Sequence, residues 1–243
     1  MVAAMVAMGL RRHRCARVTR VRLAKAVHRP VFDGLKPQPD WRRLASGKTG
    51  TGTVLANGNK IFCIGFQKTG TSSVETALTA LGLKVAPAYV GANRLLKRRP
   101  SEPRAALQAL VLEKMKTHDA IQDAPANFFF EEFDQAYPGS KFIFTTRPVD
   151  SWLTSYRNFF RDTNSPLHAW MYGVDTFSGN EDRFRDVYIS QTDKILEYFA
   201  GRPQDLLTLD LQNGDGWYEL VSFLGPDFLP DFPKVNTAKA KTE

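Results

Sequence analysis

The chain has 243 residues, 43% hydrophobic, 12% aromatic and 24% charged, which suits one domain with appendages and excludes a disordered, fibrous or polytopic membrane protein. Its net charge of +8 is concentrated at one end, since residues 1–44 carry 11 Lys and Arg against Asp33 and Asp40 alone and the rest is close to neutral. No nucleic-acid partner is expected, because phosphate tracking needs basic residues spread over a folded surface.

Residues 1–59 read as a basic N-terminal extension and linker ahead of a domain at 60–243. The apolar opening at 1–10 is far shorter than the roughly 20 residues of a membrane span. From Arg11 to Arg29 the chain holds no acidic residue and interleaves Arg with Val and Leu. Such a stretch suits a transit peptide, a basic helix on an anionic membrane surface, or a plain unordered tail. The expected location is cytoplasmic, with membrane association or organelle targeting through this tail. Residues 33–59 are rich in Gly and Pro and read as a linker. Two cysteines, Cys15 and Cys63, and four scattered histidines, including His118 and His168, give no ligand spacing, so no metal site is expected.

From Lys60 the pattern changes. Residues 61–64 form a continuous apolar run ending at Gly65, as a strand buried on both faces requires. Val74, Leu78 and Leu81 follow at helical spacing, and Gly82 stands where a helix-terminating glycine belongs. Further strands are expected at Ala120–Gln122, 141–146 and 206–211, with helices at 127–136, Val149–Phe160, 183–200 and Trp217–Leu224. This alternation predicts an α/β fold: a mostly parallel, P-loop-type sheet with helices on both faces, a three-layer α/β/α arrangement. The aromatic stretch 160–184, with Trp170, Met171, Tyr172 and Phe177, is expected to be a mobile segment that binds an acceptor.

Between the first strand and its helix lies Gly65-Phe66-Gln67-Lys68-Thr69-Gly70-Thr71-Ser72-Ser73. Successive backbone N–H groups of Gly70 to Ser73, at the positive end of a helix dipole, form a site for an anion. The glycine spacing matches the Walker A loop, but the Lys and hydroxyl residue that should follow the second glycine are replaced by Thr71 and Ser72. The lysine has moved inside the loop, to position 68.

Downstream, a strand ends at Arg147 and passes through Pro148 into a helix carrying Ser155. Pro suits that place, since its missing N–H would be orphaned anyway. Arg supplies a planar, permanently charged fork for a phosphate, and a helical hydroxyl can join it from the side. Taken together, Gln67-Lys68-Thr69-Gly70-Thr71-Ser72 resembles the 5′-phosphosulfate loop of sulfotransferases, and Arg147 with Ser155 eight residues later resembles their 3′-phosphate motif. Gln122-Asp123-Ala124-Pro125, Gly214-Asp215-Gly216-Trp217 and residues 232–236 extend the resemblance over roughly Lys60 to Asn236, to a single-domain branch found widely in bacteria and in some eukaryotes.

The resemblance implies transfer of a sulfuryl group from 3′-phosphoadenosine-5′-phosphosulfate to a hydroxyl or amine of a small molecule or carbohydrate, without a metal. It implies that Lys68, Thr69, Gly70, Thr71, Ser72, Ser73, Arg147 and Ser155 hold the donor. Lys68 would also be catalytic, neutralising charge on the leaving oxygen. Asp123 stands two residues before Pro125, where cytosolic members carry a catalytic histidine two before a proline. It is the candidate base, with a helix N-cap as its alternative role. Glu131 and Asp150 read as solvated or capping acids. In departures from the pattern, Gln67 replaces a proline and Ser73 an aromatic, so Trp217 is one candidate to stack on adenine. Two other functions stay open: a P-loop kinase or NTPase, and a non-catalytic nucleotide-binding scaffold.

Overall fold

The computed structural model describes residues 58–87 and 91–225. The basic extension and the C-terminal stretch containing Lys234 lie outside the described residues. Five parallel strands form one sheet: β1 (Ile61–Cys63), β2 (Val85–Ala86), β3 (Ala120–Gln122), β4 (Lys141–Thr145) and β5 (Leu206–Leu209), in the order β2-β3-β1-β4-β5. Phe62 is in register with Ile121 on one side and Phe142 on the other. Eight helices accompany them: α1 (Thr71–Ala80), α2 (Ala92–Lys97), α3 (Pro103–Met115), α4 (Phe130–Ala136), α5 (Val149–Phe160), α6 (Pro166–Tyr172), α7 (Glu181–Tyr198) and α8 (Trp217–Leu224).

The strand period of two sorts the core into two layers. Ile61, Cys63, Ala120 and Ile143 face Val74 and Leu78 of α1 and Leu220 and Leu224 of α8. Phe62, Ile64, Ile121, Phe142 and Phe144 face the larger layer, built from α2 to α7. A strand covered on both sides can be apolar at every position, which is why β1 reads as an unbroken run. The three-layer α/β/α expectation is therefore met.

Helix α1 ends as its sequence predicts. Gly82 takes φ 86°, its N–H reaching the Thr79 carbonyl and the Leu83 N–H that of Leu78. Those two bonds satisfy carbonyls that a helix end leaves unpaired, at a conformation only glycine adopts freely. Elsewhere boundaries moved. The 127–136 helix is split into a 3-10 turn at Ala126–Phe128 and α4. The strand expected over 206–211 stops at Leu209, because the Asp210 carboxylate accepts from the Gln212 and Asn213 N–H groups and turns the chain into a 3-10 helix.

The aromatic stretch 160–184 needs correction. Tyr172 and Phe177 are fully buried and Met171 nearly so, with Tyr172 stacked on Phe184 at 3.8 Å and Trp170 on Phe129 at 5.7 Å. These side chains fill the larger layer instead of presenting themselves to an acceptor. His168 belongs to the same core, where its Nε2 meets the Tyr156 hydroxyl at 2.9 Å.

Phe62 is the central plug of that layer, buried at 0% exposure and stacked on Phe133 at 4.3 Å and Phe142 at 5.2 Å. Phe62→Ala is expected to cost about 3–5 kcal/mol, transfer and cavity terms together. Equilibrium urea unfolding measures it, and a loss below about 1 kcal/mol would show that the layer refills the space.

Candidate active site

The connection from β1 leaves toward β3 and that from β4 toward β5, so a crevice opens between the carboxyl ends of β1 and β4. Open α/β sheets bind ligands at such switch points. A cleft of about 330 Å³ lies there, lined by Gln67, Lys68, Gly70, Thr71, Ser72, Asp123, Arg147, Ser155, Phe159 and Phe160. It draws on the loops after β1, β3 and β4 together with α1 and α5.

The loop after β1 is fixed from inside. Thr69 is buried, its hydroxyl 2.6 Å from the Phe66 carbonyl and 2.6 Å from Thr145 Oγ1 of β4. A side chain at Gly65 would collide with both threonine hydroxyls, so glycine is required by close approach. Gly70 takes φ 109° and begins α1, whose first turn no side chain caps. The amide groups at that end are left for an anion in the cleft.

Helix α5 supplies the opposite wall. Ser151, Ser155 and Phe159 recur every four residues of α5 and so share one face, and Arg147 reaches that face from the turn before the helix. The Arg147 guanidinium donates from Nη1 to the Lys68 carbonyl at 3.1 Å and from Nε to Ser151 Oγ at 2.9 Å. Trp152 donates from Nε1 to the Gln67 carbonyl at 2.8 Å. The Lys68 ammonium lies 3.8 Å from the centre of the Phe159 ring, an exposed aromatic at the cleft rim. Ser151 and Phe159 escaped the sequence reading, although their four-residue spacing on either side of Ser155 was available to find them.

Asp123 closes the cleft from the end of β3. It is 7% exposed and holds φ 70°, and its Oδ1 accepts from the Ala124 N–H at 2.6 Å. That bond leaves no helix for it to cap: the 3-10 turn starts after Pro125 and α4 after Phe129, neither with a side-chain cap. Burial pushes the carboxyl up to about 7, and the negative charge of Glu75 adds to this. The Ala124 N–H, the Lys68 charge and the Thr71 hydroxyl act in the other direction without cancelling it. Lys68 and Asp123 are two of the few described non-glycine residues at positive φ, a conformation that folded proteins hold mostly where a site requires it.

Six more of the residues singled out from sequence reach this cleft with Lys68: Gly70, Thr71, Ser72, Asp123, Arg147 and Ser155. Thr69 is turned inward, as described. Ser73 faces a separate apolar hollow with Leu211, Gly216 and Trp217. His118 precedes β3, at the end of the strand remote from Asp123, with Nδ1 2.8 Å from the Lys114 carbonyl. Glu131 and Asp150 pair on the surface with Lys194 and Arg185. Among the described residues, no three His, Cys, Asp or Glu side chains converge as metal ligands, and no helix is long and apolar enough to cross a membrane.

An uncapped helix opposite an arginine, with a lysine inside the connecting loop, sits at the switch point of this α/β sheet. Residues 60–179, just under half of the chain, match the sulfotransferase domain model, and over this stretch the chain is similar to the sulfotransferase family. The Ava biosynthesis cluster protein M of Aspergillus versicolor is 33% identical over 112 residues, covering 41% of this chain and 42% of that protein. The match thus spans less than half the length of that relative.

Asp123→Asn tests the buried carboxyl, since asparagine accepts the Ala124 N–H and tolerates positive φ. The folded carboxyl titrates near 7, above its usual value, so its contribution to stability is full at low pH and is lost as pH rises through 7. Asp123→Asn is therefore expected to melt higher than the parent at pH 8 and to lose that advantage at pH 4. Thermal melts at the two pH values check it, and a lower melting temperature at pH 8 would contradict the placement.

Proposed function

We propose that the protein is a sulfotransferase that moves the sulfuryl group of 3′-phosphoadenosine-5′-phosphosulfate to a hydroxyl or amine of a small molecule or carbohydrate. The observation that carries this reading is the convergence on one cleft of Lys68, the open end of α1, Arg147, Ser155 and a buried carboxyl that titrates near 7. The relative's name places it in a biosynthesis cluster, which favours a small-molecule acceptor. Residues 1–59 are proposed as a basic extension suited to an anionic membrane surface or to targeting, outside the catalytic domain.

The residues present fit the donor. The first amides of α1, with Thr71, Ser72 and Lys68, suit the phosphosulfate end, while Arg147 and Ser155 suit the 3′-phosphate. The hollow holding Ser73 and Trp217 suits the adenine. The donor brings an electrophilic sulfur bonded to a good leaving group. Asp123 takes the proton of the acceptor hydroxyl as its oxygen bonds to sulfur. Lys68 leaves the Phe159 ring to neutralise the phosphate oxygen released, and its charge is worth most when that oxygen becomes anionic. Phe159 and Phe160 give the acceptor an apolar wall.

Transfer of labelled sulfate from the donor to a panel of phenols, alcohols and sugars, in EDTA, tests the reading directly. Magnesium-dependent phosphoryl transfer from ATP in its place would overturn it. Lys68→Met keeps the apolar stem and is expected to lower kcat by about 100- to 1,000-fold, with donor affinity little changed. Ser155→Ala, which removes no tie to the loop, is expected to weaken the 3′-phosphorylated nucleotide about tenfold or more, with the analogue lacking that phosphate unaffected. Arg147→Ala weakens both nucleotides, because this side chain also anchors the Lys68 carbonyl. Calorimetry with the two nucleotides separates these outcomes.

A further inference from the structure

Glu75 lies one turn beyond Thr71 on α1, so the two side chains share a helix face. That face meets the end of β3. The Gln122 side-chain amide donates to Glu75 Oε2 at 3.0 Å, and Thr71 lines the cleft together with Asp123, the next residue along. Gln122 is buried, and within the described residues its Oε1 finds no partner, so the bond to Glu75 is what fixes its amide. One helical turn thus meets two successive residues at the strand end and holds the first, Gln122, by its side chain.

We propose that Glu75 is a positioning residue for the base: through Gln122 it holds the end of β3, and through its charge it sets how tightly Asp123 binds a proton. This rests on the reading of Asp123 as the base of a sulfuryl transfer. The groups that face Asp123 can be enumerated. Glu75 approaches from α1, Lys68 from the loop after β1, and Cys63 from β1, its thiol kept neutral because burial pushes it up to about 12. Arg147, from the end of β4, lines the same cleft. Lys68 draws Asp123 toward ionisation, which would leave it a feeble base. A second carboxylate in a poorly solvated setting opposes it, as like charges sharing a site raise one another's proton affinity. A base is most effective when it titrates near the working pH, and Glu75 moves Asp123 in that direction.

Glu75→Gln separates charge from geometry, since the glutamine oxygen still accepts from Gln122. Two readouts are used. The first is the 13C titration of the Asp123 carboxyl in the folded protein, which needs no acceptor. The second is the acid limb of kcat/KM against pH with labelled donor and the best acceptor of the panel. Removing the negative charge favours ionised Asp123, so both midpoints are expected to fall by about half to one pH unit. The plateau rate is expected to fall as well, because the base is weaker. Glu75→Ala also removes the hydrogen bond, and is expected to show the same shift with a further drop in kcat and no change in donor affinity. An Asp123 carbon midpoint unchanged in Glu75→Gln overturns the proposal, whatever the enzyme's activity. Absence of sulfate transfer by the parent overturns the proposed function instead and leaves the carbon titration as the judge of Glu75.

Discussion

The site depends on how the loop after β1 is tied to the turn after β4. A loop that runs beneath a cleft carries carbonyl and amide groups that water reaches poorly, and each unpaired one is costly. Here the Gln67 carbonyl takes the Trp152 indole N–H, the Lys68 carbonyl takes the Arg147 guanidinium, and the Thr69 hydroxyl meets that of Thr145. With those groups paired inward, the amides at the start of α1 remain directed to the cleft. Binding an anion then requires little rearrangement, which is the condition under which fixed dipoles act most strongly on a developing charge.

That tie has its own support. Trp152 stacks on Tyr188 at 4.2 Å, and the Tyr188 hydroxyl donates to the Arg147 carbonyl at 2.7 Å. Burial pushes the Tyr188 phenol up to about 12, so it stays a neutral donor across the working range. Trp152 of α5 and Tyr188 of α7 thus hold one arginine and one loop from the core, although neither lines the cleft. The same dryness that shelters these bonds raises the proton affinity of Asp123. Burial therefore serves the site twice, through rigid donors and through a carboxyl tuned to neutral pH.

Much of this was legible along the chain wherever a pattern was local. The limits of α5 and α8 agree with those read from periodicity, because each helix is amphipathic over its whole length and bounded by Pro148 or by Gly216 and Gly225. Three helices and β2 were missed. Strand β2 has only two residues, too few to show a period, while α6 hides among aromatic residues that look like a binding surface. The sequence reports that those side chains are apolar, and only packing reports which of them meet each other.

The same boundary runs through the site. The candidate residues that lie close together in the chain were legible in sequence alone: the glycine loop with its lysine inside, the arginine at a strand end with a serine eight residues on, and the aspartate before Pro125. Each depends on a single turn, where neighbours in the chain are neighbours in space. What only the tertiary structure decided is how these segments act on one another. The inward turn of Thr69, the Lys68 ammonium over Phe159, the anchoring of the loop by Arg147 and the approach of Glu75 to Asp123 all join residues separated by dozens of positions. Distance along the chain carries no information about them, because their energies arise from burial and from charges brought together only when the parallel strands align their carboxyl ends.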